Sequence, residues 1–294
     1  MASMIQILLN NLFLVGVMVL STLGITLTFK TANVANFAQG ILATVGAFVA
    51  AFFFMRMGVD PWISLVGGVV VCFIIGYTID VLIMSFMSSS GAVGRVMVTL
   101  GLILIISAFI PIIFGMIPYN FPRFFAGNFT WEMMGSTFII TRNGLFTFVT
   151  SMSITAIIFI ALYKTKWGLM VRATASNATV AAMLGINTKR MTALSWGISS
   201  ACASLAAVFL GAQTTNVHAD MMAVIATISL LALVMGGFTS FFGPVIGAII
   251  IPTATAMLAM ISGLWANVLL YTFVLLTILI KPMGIFGKKT MEKV

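Results

Sequence analysis

The sequence predicts an all-α, polytopic transmembrane bundle. Three observations carry that reading: a near absence of charge, apolar runs of membrane-spanning length, and basic residues confined to the stretches between those runs. Only 6% of the 294 residues are Asp, Glu, Lys or Arg, while 62% are hydrophobic and the mean hydropathy is +1.22; soluble domains carry roughly 25% charged residues. A soluble chain of this size buries about 75% of its surface and needs a polar exterior for the rest, which these side chains cannot supply. The outside therefore faces lipid. The net charge of +9 does not point to nucleic acid, because the basic residues form no stripe interleaved with aromatics. Retention of basic loops in the cytoplasm explains their spacing.

Windows long enough for a hydrocarbon core of about 30 Å fall at 5–29, 36–55, 62–86, 95–117, 143–163 and 191–213. Each is read as a helix, since only helices and closed barrels satisfy the backbone in lipid and none alternates like a barrel strand. The stretch 1–6 is too short and uncharged for a signal-peptide n-region, so the first window is read as a retained span. From Met221 to Ile280 the chain stays apolar but is interrupted at Gly236-Gly237-Phe238-Thr239-Ser240-Phe241-Phe242-Gly243-Pro244 and at Ser262-Gly263. Clustered glycines and a proline without an N–H predict three shorter helices there, 221–236, 244–262 and 265–280.

Loop charge gives orientation. The segment 164–190 holds Lys164, Lys166, Arg172, Lys189 and Arg190 with no acid, and the C-terminus holds Lys281, Lys288, Lys289 and Lys293 against Glu292. Both are expected in the cytoplasm. Counting outward from them puts 118–142 and 214–220 outside, 87–94 and Lys30 inside, and the N-terminus outside. Nine crossings satisfy every constraint, and eight with a re-entrant loop is the alternative. The chain is read as one transmembrane domain, 1–294, with small residues such as Gly67-Gly68 and the Gly243/Gly247 pair marking close helix contacts.

The basic loop is the most informative stretch. Ala178 to Leu184 favours helix and Gly185 suits its C-terminal cap. An Ala-rich helix of low charge gains little from water or headgroups, so it is read as a surface helix that docks into a partner protein. Asn36 and Gln39 open an apolar span, where an unpaired amide costs about 1–3 kcal/mol to bury; each needs a partner or a water-filled path, and Asn36 is a candidate N-cap. Asp80, late in the third span, is expected to pair with Arg95 or to reach the interface. Asp60, Arg123, Glu132, Arg142 and Asp220 form a mixed-charge outer rim suited either to docking a soluble protein or to plain solvation, and His218 is expected in a solvated loop. Cys72 and Cys202 are read as packing residues. The sequence offers no catalytic or metal-ligand set, and without a GxxxxGK[ST] loop it has no usual means of binding ATP.

Four ordered motifs carry a family resemblance: Asn36-Phe37-Ala38-Gln39-Gly40; Arg172-Ala173 followed by Leu184-Gly185-Ile186-Asn187; Gly236-Gly237 through Ser240 and Gly243; and Pro282-Met283-Gly284-Ile285-Phe286-Gly287. Together they resemble the LIV-type permeases of branched-chain amino acid ABC importers, and they span nearly the whole chain. The resemblance implies a permease in a bacterial cytoplasmic membrane, working with a second permease (identical or different), two cytoplasmic ATPases that bind ATP and Mg, and an extracytoplasmic binding protein. It implies ATPase contact through Arg172, Ala173, Leu184, Gly185, Ile186 and Asn187. A path for amino acids or similar small polar solutes is expected beside Asn36, Phe37, Gln39 and Gly40 and the break bearing Gly236, Gly237, Ser240 and Gly243. Many family members carry His where Gln39 stands. The alternative, an ion-coupled secondary transporter or channel for a small neutral solute, usually needs an intramembrane carboxylate or histidine, and Asp80 near a membrane end is the sole candidate.

Overall fold

The structure, a computed structural model, describes residues 2–87, 91–133 and 135–287. Part of the 87–94 loop and the charges Lys288, Lys289, Glu292 and Lys293 lie outside the described residues.

Among the described residues, seven helices are long and apolar enough to cross a membrane. They are α1 (Ala2–Ala32), α2 (Gln39–Met57), α3 (Pro61–Ile79, continued by a π-helical turn Asp80–Met84), α4 (Ala92–Phe114), α5 (Arg142–Lys164), α8 (Thr188–Thr214) and α10 (Phe242–Ile261). Between α5 and α8 lie the short α6 (Lys166–Ser176) and α7 (Ala178–Met183). Beyond α8 come α9 (Ala223–Gly236) and, after α10, α11 (Ala266–Ile280). With 14 and 15 residues, α9 and α11 rise only about 21 and 22 Å, less than a full hydrocarbon core of about 30 Å.

The all-α expectation needs one correction. Residues expected only as an outer loop contain an antiparallel hairpin, β1 (Asn128–Met133) with β2 (Ser136–Thr141), in which Phe129 opposes Ile140 and Trp131 opposes Phe138. Phe138 and Ile140 are buried while Phe129 and Trp131 are exposed, so the hairpin leans on the bundle through β2. Gln6 fixes it there: its Nε2 donates to the Ile139 carbonyl (2.6 Å) and its Oε1 accepts from the Ile139 N–H (2.9 Å). A single side chain thus serves the outer edge of β2 as a neighbouring strand would.

The interior of the bundle is α1 and α8, whose most apolar windows are 78% and 72% buried, against 17% for α4 and 22% for α5. Three helices reach α8 through glycines that face its serines. A Cβ on Gly24 of α1 would lie 2.8 Å from the Ser199 carbonyl; one on Gly46 of α2 would overlap the Ser204 side chain; one on Gly76 of α3 would overlap Ser200 and come within 2.7 Å of the Trp196 carbonyl. Missing side chains let the backbones close up, the means by which helices associate where lipid competes for apolar surface. Cys72, buried and free, sits in the same seam with its thiol directed at the Leu42 carbonyl (3.1 Å).

Local chemistry sets the helix ends. Asp60 caps α3 by accepting from the Trp62 N–H at 2.9 Å, with Pro61 in the first helical position; this outer-rim carboxylate therefore has a structural role. Pro244 falls in the first turn of α10, where its missing N–H leaves no bond unmade. At one end of the bundle, Trp62, Phe124, Phe146 and Phe209 stack in a run that pins the 118–127 segment onto α3, α5 and α8.

If the Gly46/Ser204 contact limits how close α2 approaches α8, Gly46→Ala should destabilise the detergent-solubilised protein by about 1–3 kcal/mol, and adding Ser204→Gly should restore more than half of the lost melting temperature. A neutral Gly46→Ala, or no recovery, would contradict this packing.

Candidate functional site

Asn36 stands before α2 and not within it. Its Oδ1 accepts from the Ala38 N–H (3.0 Å), an Asx turn that orients the entry of the helix, while the N-cap position proper is Ala38 with no side-chain cap. The candidate N-cap expectation is corrected accordingly. The Asn36 Nδ2 donates to Gln39 Oε1 (3.1 Å), which also accepts from Ser199 Oγ (2.9 Å), and Gln39 Nε2 donates to the Ser199 carbonyl (2.9 Å). Both amides are fully buried. Their polar groups close on each other and on the α8 backbone, so the cost of burying them is offset inside the chain.

Eleven residues separate Thr188, the start of α8, from Ser199, about 17 Å along a helix about 40 Å long. The start of α2 therefore lies near the middle of α8. Gly40 meets the start of α9 at the same level, since a Cβ there would lie 2.7 Å from the Ala226 Cβ and 3.2 Å from the Met222 carbonyl. Two helix N-termini, neither with a side-chain cap, thus converge in the middle of the bundle, where their backbone dipoles supply partial positive charge. Phe37, beside Asn36, is 38% exposed, and Val224 of α9 is exposed as well.

The second candidate segment is a different place. Gly236 and Gly243 pack backbone to backbone around the α9–α10 break, Gly237 has φ +100, and the Ser240 Oγ, one residue before the N-cap position Phe241, accepts from the N–H groups of Phe242 and Gly243 (both 3.1 Å). The end of the described chain closes over it, the Ile285 N–H donating to the Met235 carbonyl (2.8 Å) and that of Phe286 to the Gly236 carbonyl (3.3 Å). Two motifs widely separated in sequence are therefore one structural unit. Gly40 and this break sit at opposite ends of α9.

The 164–190 loop folds as two short helices and not one. Thr165 caps α6 and Asn177 caps α7, whose C-terminus is followed by Gly185 at φ +83, a backbone conformation that suits glycine. Asn187 then caps α8 by accepting from the Arg190 N–H at 3.0 Å. α7 leaves Val180, Met183 and Leu184 exposed, a continuous apolar patch at i, i+3 and i+4. Ile186 turns inward onto the cluster around Leu27 and Met191. Ala173 is half-buried on α6 beside Arg172, whose guanidinium carbon stacks 5.0 Å over the Tyr163 ring. Arg172 thus braces α6 against the end of α5.

Asp80 is buried, and its recorded partner is the Thr192 Oγ1, which donates to Oδ2 at 3.2 Å; Arg95 instead donates to the Ala32 carbonyl at 2.7 Å. The pairing expected from sequence order gives way to a contact between the end of α3 and the start of α8. Sequence reasoning missed Ser199 and Thr192. The signal available was the run of small hydroxyl residues along 192–204, unusual in an apolar span.

The profile of the family described as branched-chain amino acid transport system, permease component, matches residues 7–279. The chain belongs to that family. It is 30% identical to the probable branched-chain amino acid transport permease protein LivH of Methanocaldococcus jannaschii, over 92% of this chain and 89% of that one. It is 27% identical to the high-affinity branched-chain amino acid transport system permease protein LivH of Escherichia coli K12 (99% and 97% covered) and 24% identical to BraD of Pseudomonas aeruginosa (99% and 98% covered). No solved structure matches it. The chain is accordingly a multi-pass permease subunit of an ABC importer in the cytoplasmic membrane, a transport component and not an enzyme.

The amide junction has a measurable consequence. Gln39→Met removes the acceptor shared by Asn36 Nδ2 and Ser199 Oγ and the donor to the Ser199 carbonyl, and should lower stability by about 1–3 kcal/mol, read as a fall in the melting temperature of the purified protein. Ser199→Ala, which removes one donor, should lower it less.

Proposed function

We propose that this permease carries branched-chain amino acids, or closely similar small polar solutes, along a face presenting Phe37 and the convergent starts of α2 and α9, and that ATPase motion enters through 172–187. The single observation that carries the reading is the meeting of two uncapped helix N-termini halfway along α8. Interrupted helices with their positive ends at mid-depth suit an anionic substrate group, and an amino acid presents a carboxylate. The relatives' names agree in their substrate, and Asn36, Gln39 and Gly40 would hold the two helix starts in place. The break bearing Gly236, Gly237, Ser240 and Gly243 would serve as the inner hinge of the same path. Neither segment supplies a fixed charge that would hold the solute, which favours release.

The sidedness follows the charges. One end of the bundle gathers Lys30, Arg95, Arg172 and Lys189 near the α9–α10 break and the chain end; the other gathers the hairpin, the aromatic run and the Tyr119–Val217 bridge. Assigning the basic end to the cytoplasm gives nine crossings, N-terminus outside and C-terminus inside. The last third crosses as the irregular 215–222 stretch plus α9, then α10 and α11. Two ATPases, with their ATP and Mg, would then meet the apolar patch of α7. A second permease, the same chain or another, would complete the path, and a binding protein would dock on the hairpin side.

The exposed patch Val180, Met183 and Leu184 favours docking over solvation, and Gly185 holds the turn that orients it. Gly185→Val, strained at φ +83, should cut solute uptake by the reconstituted importer roughly tenfold or more, the scale of a coupling free energy above about 1.4 kcal/mol, while ATP hydrolysis by the assembled complex persists. The isolated chain should hydrolyse no ATP. Normal uptake by the variant would remove 172–187 from the drive.

A further inference from the structure

The basic end of the bundle holds a cavity that the proposed solute path does not include. A cavity of about 550 Å3 opens between the ends of α1 and α3 and the starts of α4 and α8, and Lys30, Arg95 and Lys189 line it with one carboxylate, Asp80. A second cavity of similar volume shares Lys30 and adds Arg172. The Nε atoms of Arg95 and Arg172 are both buried without a hydrogen-bond partner. Asp80 accepts from Thr192, and Lys30 lies 5.1 Å from the Phe241 ring centroid. Buried cationic donors left open in this way are short of an anionic acceptor, and guanidinium groups fit phosphate oxygens in particular.

We propose that the Lys30–Arg95–Lys189 cavity binds the phosphate of an anionic phospholipid headgroup. The chemistry alone would also fit a free phosphate; the surroundings favour a lipid. On α4, Val93 and Met97 flank Arg95, and with Leu100 and Leu104 they form an exposed apolar stripe running away from it at i, i+4, i+7 and i+11. Leu82 and Phe86, exposed at the end of α3, border Ser85 on the cavity wall. A headgroup in the cavity places its acyl chains along α4, which is only 17% buried. A basic pocket between helix ends beside an apolar lipid-facing stripe is the arrangement that binds anionic headgroups. Because Thr174, Ser176 and Lys189 of the same wall border the coupling helices, the lipid would also brace the loop that meets the ATPase.

The test is lipid retention by the assembled importer in detergent, with phosphatidylglycerol and phosphatidylcholine supplied in equal amounts and the bound lipid weighed by native mass spectrometry. The expected result is preferential retention of phosphatidylglycerol. Arg95→Gln should lower it about fivefold and Arg95→Lys should recover part of it. Lys281→Gln, at the same end but outside the cavity, should leave it nearly unchanged. Equal retention of both lipids, or no loss in Arg95→Gln while Arg95→Lys and wild type elute identically as folded complexes, would overturn the proposal. Displacement by millimolar inorganic phosphate would assign the site to a free anion, and retention only after the ATPases are stripped away would assign it to an acidic side chain of the partner; either result also overturns it. The assay reads no transport, so its failure and that of the coupling role are separate.

Discussion

The close approach of α1, α2 and α3 to α8 is the constraint on which the remaining structure depends. Lipid gives apolar helices no reason to prefer each other, so their association has to come from tight packing and from polar groups that find partners. Here three glycines, one per helix, face three serines on α8, and at one of those contacts the Gln39 and Asn36 amides lock the start of α2 to the Ser199 backbone. The peripheral helices α4, α5 and α11 can remain apolar on most of their surface because this interior fixes the bundle.

The same constraint would let α8 act as a lever in the proposed coupling. Its first residues are capped by Asn187 from the 164–190 loop and tied to α3 through Thr192 and Asp80, and about 17 Å further on it meets the junction where α2 and α9 begin. In the proposed coupling, a displacement at α7 would reach mid-bundle through packed backbone and buried hydrogen bonds, which shift between discrete arrangements and do not yield gradually. The α9–α10 break and the chain end closed over it form a separate unit, joined through glycines.

Most of the fold is legible in the sequence because lipid imposes a simple rule on long apolar runs. The spans, the division into three helices after 221 and the αL glycine after α7 follow from local composition alone, although α10 reaches full membrane length. The hairpin was harder to see: Phe129-Thr130-Trp131-Glu132 alternates as a strand should, but six residues is too short to register against membrane-length windows. The site divides in the same way. Turn-forming residues such as Asn187 and Gly185 declare themselves locally. The Gln39 to Ser199 and Asp80 to Thr192 bonds join positions 160 and 112 residues apart, and nothing near Gln39 or Arg95 in the sequence signals that each side chain turns to the backbone of another helix.

A pair of distances bears most directly on the lever. Spin labels at Arg190→Cys, near the start of α8, and Met57→Cys, the far end of α2, report whether the two helices move together in the assembled importer with and without ATP; the native Cys72 and Cys202 are both buried. A rigid α8–α2 unit changes that distance by less than about 2 Å, while the distance from the Arg190→Cys label to a label on a neighbouring subunit of the importer changes. An α8–α2 distance that changes on ATP binding while the intersubunit distance stays fixed would contradict transmission through the glycine–serine seam.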